Sequence, residues 1–249
     1  NTFETGDESV AAYTHDGESL GLLDLLKNEG AYQLVKRRVV GAEGSVQEAF
    51  DRAVGGGDVE NSVRWRLSTD SLDIGDHPQH ISAAYMDDDD VFDGSDLMFP
   101  SGYAQIAVSL ASGIDVRQGV KVTKIAYNDS GVEVSAGAEV FKADDAIVTL
   151  PLGVLQAGSV AFEPALPKEK TDALNGLGMG LLNKGYLKFP EAFWDDKHSI
   201  GIIGDYANGT PLGRYPIIFN LAVLPDKRPI LMVLAHGDFG RELEQQADA

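Results

Sequence analysis

Between Leu181 and Ala235 four strand-length segments follow one another: Leu181–Phe189, Ser199–Gly204, Tyr215–Leu224 and Pro229–Ala235. Their connections are too short for the crossover that joins parallel strands, so they predict a mostly antiparallel sheet. A helix around Lys168–Leu177 precedes the sheet, and another begins near Asp238. Any fold for this chain has to be built around that sheet and those flanking helices.

The segment from about Leu97 to Gly158 has a different rhythm. Ser101 is placed to cap a helix from Gly102 to Ser112, with Gly113 ending it. Ile114–Arg117 alternates as a short strand, and Val120 to Tyr127 reads as another. Asn128-Asp129-Ser130-Gly131 turns the chain into Val132–Val134, and Val140–Lys142 follows. Asp144–Leu150 then reads as a buried parallel strand behind an acidic loop. This helix–strand–hairpin–strand order suits an α/β nucleotide-binding domain.

The first 96 residues are mainly helical in pattern. Ser9–Tyr13 is strand-like, and Asp16-Gly17 marks a turn. Leu20, Leu22, Leu23 and Leu26 form one apolar face. Ser45-Val46-Gln47-Glu48 is a capping-box signature, and Gly55-Gly56-Gly57 breaks the helix it starts. Val63, Trp65 and Leu67 suit either a third helix or a strand. Asp87–Asp90, with Asp93 and Asp96, reads as a solvated acidic loop; the glycine and terminal glutamate of an EF-hand are missing.

Composition narrows the chemistry. With 249 residues, 43% of them hydrophobic, the chain can bury a sizeable core. It has no cysteine, which removes disulfides, thiolate catalysis and cysteine metal sites. A net charge of −19 repels phosphate backbones, so no nucleic-acid partner is expected. The same charge would attract cations, or it simply serves solubility or a salty environment. No apolar run is long enough to span a bilayer. The start at Asn1-Thr2-Phe3-Glu4 shows no initiator Met and no targeting segment, and reads as truncated or processed. Nothing identifies the compartment, with a soluble cytoplasmic chain as the default expectation.

Hydrolase and nucleotide-loop signatures are missing. There is no Gly-x-Ser-x-Gly elbow and no Gly-x-x-x-x-Gly-Lys loop. The histidines at 15, 77, 80, 198 and 236 are scattered; His77 and His80 lie close, without an evident third metal ligand, and each reads as a surface or capping residue. Gly176-Leu177-Gly178-Met179-Gly180 precedes a strand, whereas a dinucleotide loop follows one, so by itself it reads as a flexible turn.

Four phrases remain. They are Phe99-Pro100-Ser101-Gly102-Tyr103 followed by Ile114–Arg117; Thr149-Leu150-Pro151-Leu152-Gly153-Val154-Leu155; Phe162–Pro167 with Lys170; and Gly178-Met179-Gly180-Leu181-Leu182-Asn183-Lys184 leading to Phe189 and Phe193-Trp194. In this order and spacing the chain resembles the flavin-containing amine oxidases, the group of polyamine oxidases, monoamine oxidases and the lysine-specific histone demethylase. The resemblance is clearest from Tyr85 to Trp194.

The resemblance implies an α/β plus α+β architecture: a partial FAD-binding, Rossmann-like domain with an inserted substrate domain of mixed or antiparallel sheet and flanking helices. On that template residues 1–86 are the helical part of the substrate domain, 87–158 a segment of the FAD domain and 159–249 the sheet part of the substrate domain. The family's N-terminal Gly-x-Gly-x-x-Gly unit and its C-terminal FAD-contacting segment are absent. The chain is therefore expected to be an internal fragment that neither holds FAD tightly nor turns over alone. A catalytically inactive binding or scaffold module derived from this fold is the alternative from a different class.

Residue roles follow from the same resemblance. Lys184 matches the family lysine that hydrogen-bonds through water to flavin N5, where a fixed ammonium orients a water and stabilises negative charge developing on oxygen; otherwise it is a surface lysine on a strand edge. Thr149, Leu150 and Pro151 match a turn beside the flavin, or are a plain strand-to-helix turn. Val122 matches a backbone contact to the adenine end, or is a core valine. Phe219 matches an aromatic lining the substrate pocket, and Trp194 packs near the flavin or closes the core. The implied cofactor is FAD, and the implied partners are a small-molecule amine and O2. A primary or secondary amine would be oxidised to an imine, with a polyamine favoured and an L-amino acid or monoamine as the runner-up within the family.

Overall fold

Residues 3–4, 9–57, 59–88, 97–99, 102–224 and 226–246 are described in the computed structural model. The Ser101 cap and all of the acidic run after Asp88 lie outside them. The chain divides into two units, one formed by Asn1–Met98 with Gly180–Ala249, the other by Phe99–Met179.

The first unit opens with β1 (Phe3–Glu4) and β2 (Val10–Thr14), continues through α1 (Leu22–Val39), α2 (Val46–Val54) and α3 (Asn61–Ile74), and reaches β3 (Leu97–Met98), which pairs antiparallel with β1. The second unit holds α4 (Ala104–Leu110), β4 (Lys124–Asn128), β5 (Gly131–Ala136), β6 (Glu139–Ala143), α5 (Leu152–Gln156), β7 (Ala161–Glu163) and α6 (Lys168–Gly176). The first unit resumes with β8 (Leu182–Lys188), β9 (Ser199–Ile203), β10 (Arg214–Asn220), β11 (Ile230–His236) and α7 (Gly237–Glu244).

The expected sheet forms, in the order β2-β9-β10-β11-β8. Pairs β8/β11, β11/β10 and β10/β9 are antiparallel, while β2 joins β9 in parallel from far upstream. Strand β10 ends at Asn220 instead of running to Leu224. There the Asn220 carboxamide oxygen accepts the Ala222 N–H at 2.9 Å and turns the chain out of the ladder.

The helical core gathers Tyr32, Val39, Phe50, Val63, Leu67 and Met86, all buried. The capping box at α2 is complete: Ser45 Oγ accepts the Glu48 N–H at 3.2 Å and the Glu48 carboxylate accepts the Ser45 N–H at 3.0 Å. Gly55 ends that helix in the left-handed region at φ 68°. Val63, Trp65 and Leu67 belong to a helix. Their period-two look arises because α3 is buried on two sides, with Val63 and Leu67 in the helical core and the Trp65 ring against the sheet. A helix covered on two sides shows no single apolar stripe. Of the apolar face Leu20, Leu22, Leu23 and Leu26, Leu20 is half-buried and the other three are 72%, 81% and 60% exposed. The later turns of α1 carry the packing, through Tyr32 and Val39.

In the second unit β6-β5-β4-β7 form a sheet, with β7 parallel to β4. Three expectations are corrected here. Residues 114–117 form no strand, the strand expected from Val120 begins at Lys124, and residues 144–150 are not a strand. Ile147 is 92% exposed. Apolar alternation supplies a strand's faces, but a strand exists only where a neighbour takes its backbone N–H and C=O groups; among the described residues 144–150 have none. No helix among the described residues is long and apolar enough to cross a membrane.

Candidate functional site

Alternation along β8 sets Lys184 and Tyr186 on one face of the five-stranded sheet and Asn183 and Gly185 on the other. Lys184 pairs with Leu234, Tyr186 with Met232, Met232 with Phe219, and Phe219 with Ser199. Directly opposed residues of antiparallel strands share a face. A row Tyr186–Met232–Phe219 therefore crosses three strands on the face that carries Lys184.

This is the face that α3 covers at its β9/β10 end. The Trp65 ring lies over Gly201, and Trp65 Nε1 donates to the Pro216 carbonyl at 2.7 Å. Toward β8 the face opens. Lys184 is exposed, Tyr186 is 61% exposed, and Met232 and Phe219 are half-buried. Among the described residues nothing hydrogen-bonds or ion-pairs with Lys184 Nζ.

The opposite face belongs to α7. Asn183 Nδ2 donates to the Gly240 carbonyl at 3.0 Å. An open pocket of ≈ 610 Å³ lies there between Asn183, Gly185, Val233 and Ala235 on the sheet and Leu243 and Glu244 on α7. Lys184 borders it through its place on the edge strand. By register, though, its side chain stands with that of Tyr186, so the pocket and the lysine's chemistry belong to different faces.

Phe219 meets His198 edge-on, with ring centroids 5.9 Å apart. Trp194 joins Phe189 and Phe193 in a three-ring cluster, at 5.3 Å and 5.0 Å. Its Nε1 donates to Asn220 Oδ1 at 2.8 Å. Asn220, buried, also donates to the carbonyls of Asp195 and Lys197. Trp194 thus ties the 194–198 loop to the end of β10. Lys184, Phe219 and Trp194 lie in the first unit; Val122, Thr149, Leu150 and Pro151 lie in the second. Val122 is half-buried just ahead of β4; Thr149 and Pro151 are exposed, Leu150 is half-buried, and Pro151 precedes α5 as its N-cap.

One cluster escaped the sequence reading. The Arg241 guanidinium forks onto Asp76, Nη1 to Oδ1 at 2.8 Å and Nη2 to Oδ2 at 2.9 Å. The His77 N–H donates to Asp76 Oδ1 at 2.7 Å, and His80 Nδ1 lies 3.2 Å from the same oxygen. Asp238 completes the group with a 3.0 Å bond from Arg241. His236, read as a surface or capping residue, is 1% exposed at the N-cap position of α7, with no side-chain cap bond. Its Nδ1 lies 3.3 Å from the Asp76 carbonyl, an acceptor, so Nδ1 carries the proton. Burial holds the His236 pKa below its ordinary value, and burial does the same to His77 against the pull of Asp238. Asp76, His80 and Asp238 bring three possible metal-ligand atoms together, but the guanidinium already neutralises Asp76, and the group reads as an ion-pair knot. No local signal announces it, because Asp76 and Arg241 are 165 positions apart.

The knot makes an acid-stability prediction. Burial pushes the Asp76 carboxyl up, but the Arg241 fork, the His77 N–H and His80 outweigh it and hold the pKa at about 2, below the ordinary 3.8. The stabilisation is fully present above about pH 4 and is lost as pH falls through about 2, with a size of roughly 2 kcal/mol. Urea titrations between pH 5 and 2 are expected to show this loss, and Arg241→Gln should shrink it, because without the fork the folded carboxyl returns toward its ordinary value. An identical pH profile in the variant would refute the assignment.

Comparison with known proteins adds to this geometry. A family model described as flavin containing amine oxidoreductase matches residues 26–249. Polyamine oxidase 2 of Arabidopsis thaliana is 29% identical over 268 residues, covering 98% of this chain and 53% of the relative. Lysine-specific histone demethylase 1 homolog 2 of the same plant is 42% identical over 120 residues, 47% of this chain and 16% of the relative. Cyclohexylamine oxidase from Brevibacterium oxydans superposes with a TM-score of 0.74 at 16% identity, over 99% of this chain and 61% of that structure. A redesigned putrescine oxidase triple mutant gives 0.70 at 14% identity, over 99% and 62%. These structures share the fold of mixed sheets with flanking helices. The chain spans about half the length of the polyamine oxidase it matches.

Proposed function

The chain belongs to the flavin-containing amine oxidoreductases, a membership that implies FAD as cofactor, and on that premise we propose that it supplies the substrate sheet and part of the flavin-binding unit of an FAD-dependent amine oxidase that oxidises a polyamine to an imine. The observation that carries this reading is the Lys184 cation, without a partner among the described residues, on the same open sheet face as the Tyr186–Met232–Phe219 row. In this reading residues 1–86 and 159–249 serve the substrate and 87–158 the flavin. The exposed apolar residues of the second unit, such as Ile147 and Val148, support its being one part of a larger sheet.

When bound, FAD would supply the acceptor for the hydride equivalent leaving the amine's α-carbon, with O2 as the final electron acceptor. The chain's own residues do the rest. Lys184 holds a water through its ammonium and stabilises negative charge forming on oxygen. Tyr186, Met232 and Phe219 floor the space for the substrate's carbon chain and keep water from it. Val122 and Thr149 to Pro151 contribute to the cofactor's seat. The net charge of −19 draws polycations toward the protein. The substrate amine must arrive deprotonated, because an ammonium has no lone pair to assist C–H cleavage.

A second reading has its own support: the 42% identity over 120 residues to a histone demethylase homologue fits an N-methylated lysine as the secondary amine. The test uses the complete FAD-loaded protein with spermidine, spermine and a dimethyl-lysine histone peptide in parallel, following flavin bleaching without oxygen. Bleaching by a polyamine is expected. Bleaching only by the peptide would replace the first reading with the second, and none with any amine would refute both.

A further inference from the structure

The glycine-rich turn before Lys184 packs backbone to backbone where it meets α3. A Cβ at Gly180 would lie 2.6 Å from the Gly75 carbonyl oxygen, 2.9 Å from its carbon and 3.0 Å from the Ile74 carbonyl oxygen. These are backbone atoms and cannot swing aside. The Leu181 N–H donates to the same Gly75 oxygen at 2.6 Å, and Gly75 itself ends α3 in the left-handed region at φ 78°. From the other side the Gly237 N–H donates to the Leu181 carbonyl at 3.1 Å. Gly237 sits at φ +60°, where a Cβ would meet the His77 nitrogen at 2.5 Å. The Asp76–Arg241 fork then joins the end of α3 to α7, and Asn183 reaches Gly240 on α7.

Residues 181–183 are thus gripped from α3 and from α7, and Lys184 is the next residue. The position matters because β8 is an edge strand, paired on one side only. A slip of one residue would turn Lys184 to the α7 face and Asn183 to its place.

We propose that Gly75, Gly180 and Gly237 form a backbone clasp that fixes the register of β8 and so sets Lys184 at the flavin, which makes Gly180 a positioning residue. The inference rests on the oxidase reading of Lys184, and its test separates the two. In the complete FAD-loaded protein, Gly180→Ala is expected to slow reoxidation of the reduced flavin by O2 by about tenfold, since displacements near 1 Å carry losses of that order or more. On a Lys184→Met background it should add no further loss. Without turnover, hydrogen exchange at amides 181–186 should quicken by about tenfold while α2 is unchanged.

Equal slowing on both backgrounds, or unchanged exchange at 181–186, overturns the clasp as a positioning device. If Lys184→Met reoxidises at the normal rate, the reading of Lys184 falls and the clasp's role falls with it. If Lys184→Met is slow and Gly180→Ala is not, the clasp alone is refuted. Should Gly180→Ala not fold, Arg241→Lys keeps the charge, removes the fork, and carries the same comparison with the same expected results.

Discussion

Flavin reoxidation by O2 in a Lys184→Met variant of the complete protein is expected to be slower by about 10²-fold, the scale of losing one placed donor to a developing anion. Methionine keeps the length and apolar character of the stem, so packing beside Leu234 is retained and only the ammonium is removed. Lys184 has no partner among the described residues, so its removal strands no buried carboxylate and folding should be preserved. Stopped-flow mixing of the reduced protein with oxygenated buffer gives the rate directly. Amine-dependent flavin reduction, recorded separately, should change less than reoxidation. A reoxidation rate within a factor of about two of the parent would leave Lys184 as the surface lysine that its exposure alone suggests.

The largest stability effect is expected at Trp65. Its ring lies where Gly201 offers no side chain; a Cβ there would sit 2.3 Å from Trp65 Cζ2. Its Nε1 satisfies the Pro216 carbonyl at 2.7 Å, on the strand that carries Phe219. Trp65→Ala leaves a cavity over the glycine and a carbonyl without its donor. The sum is a loss of about 3–5 kcal/mol, read from the urea midpoint. Gly201→Ala should destabilise for the reciprocal reason, because the indole must move from a packed position. A Trp65→Ala loss below about 1 kcal/mol would show that α3 does not hold the sheet through this contact.

Much of the scaffold was legible one segment at a time. The capping box at Ser45 and Glu48 closes through bonds three residues apart, and β8 to β11 follow from local alternation and short connections. The same local rules mark Leu20, Leu22, Leu23 and Leu26 as one apolar face but do not say what covers it, and only Leu20 is half-buried. They misled at 144–150, where strand-like composition found no pairing partner among the described residues. The candidate site divides along the same line. Lys184 was marked by a family phrase and Phe219 by the wider resemblance; that they share one face with Tyr186 and Met232 required the register. His236 read as a surface or capping residue; its burial beside Asp76, 160 positions away, has no local signal.

The sequence by itself determined the family, the sheet's strands and the choice of Lys184 as the residue to watch. These depend on periodicities of two and 3.6 residues and on short phrases, all contained within a few turns of chain. Only the tertiary structure decided that the glycine turn ahead of Lys184 is a close backbone contact and not a hinge. Gly75, Gly180 and Gly237 are far apart in the chain; Gly180 and Gly237 must lack a side chain because another segment brings a carbonyl or amide to within 3 Å, and Gly75 because it ends α3 at φ 78°.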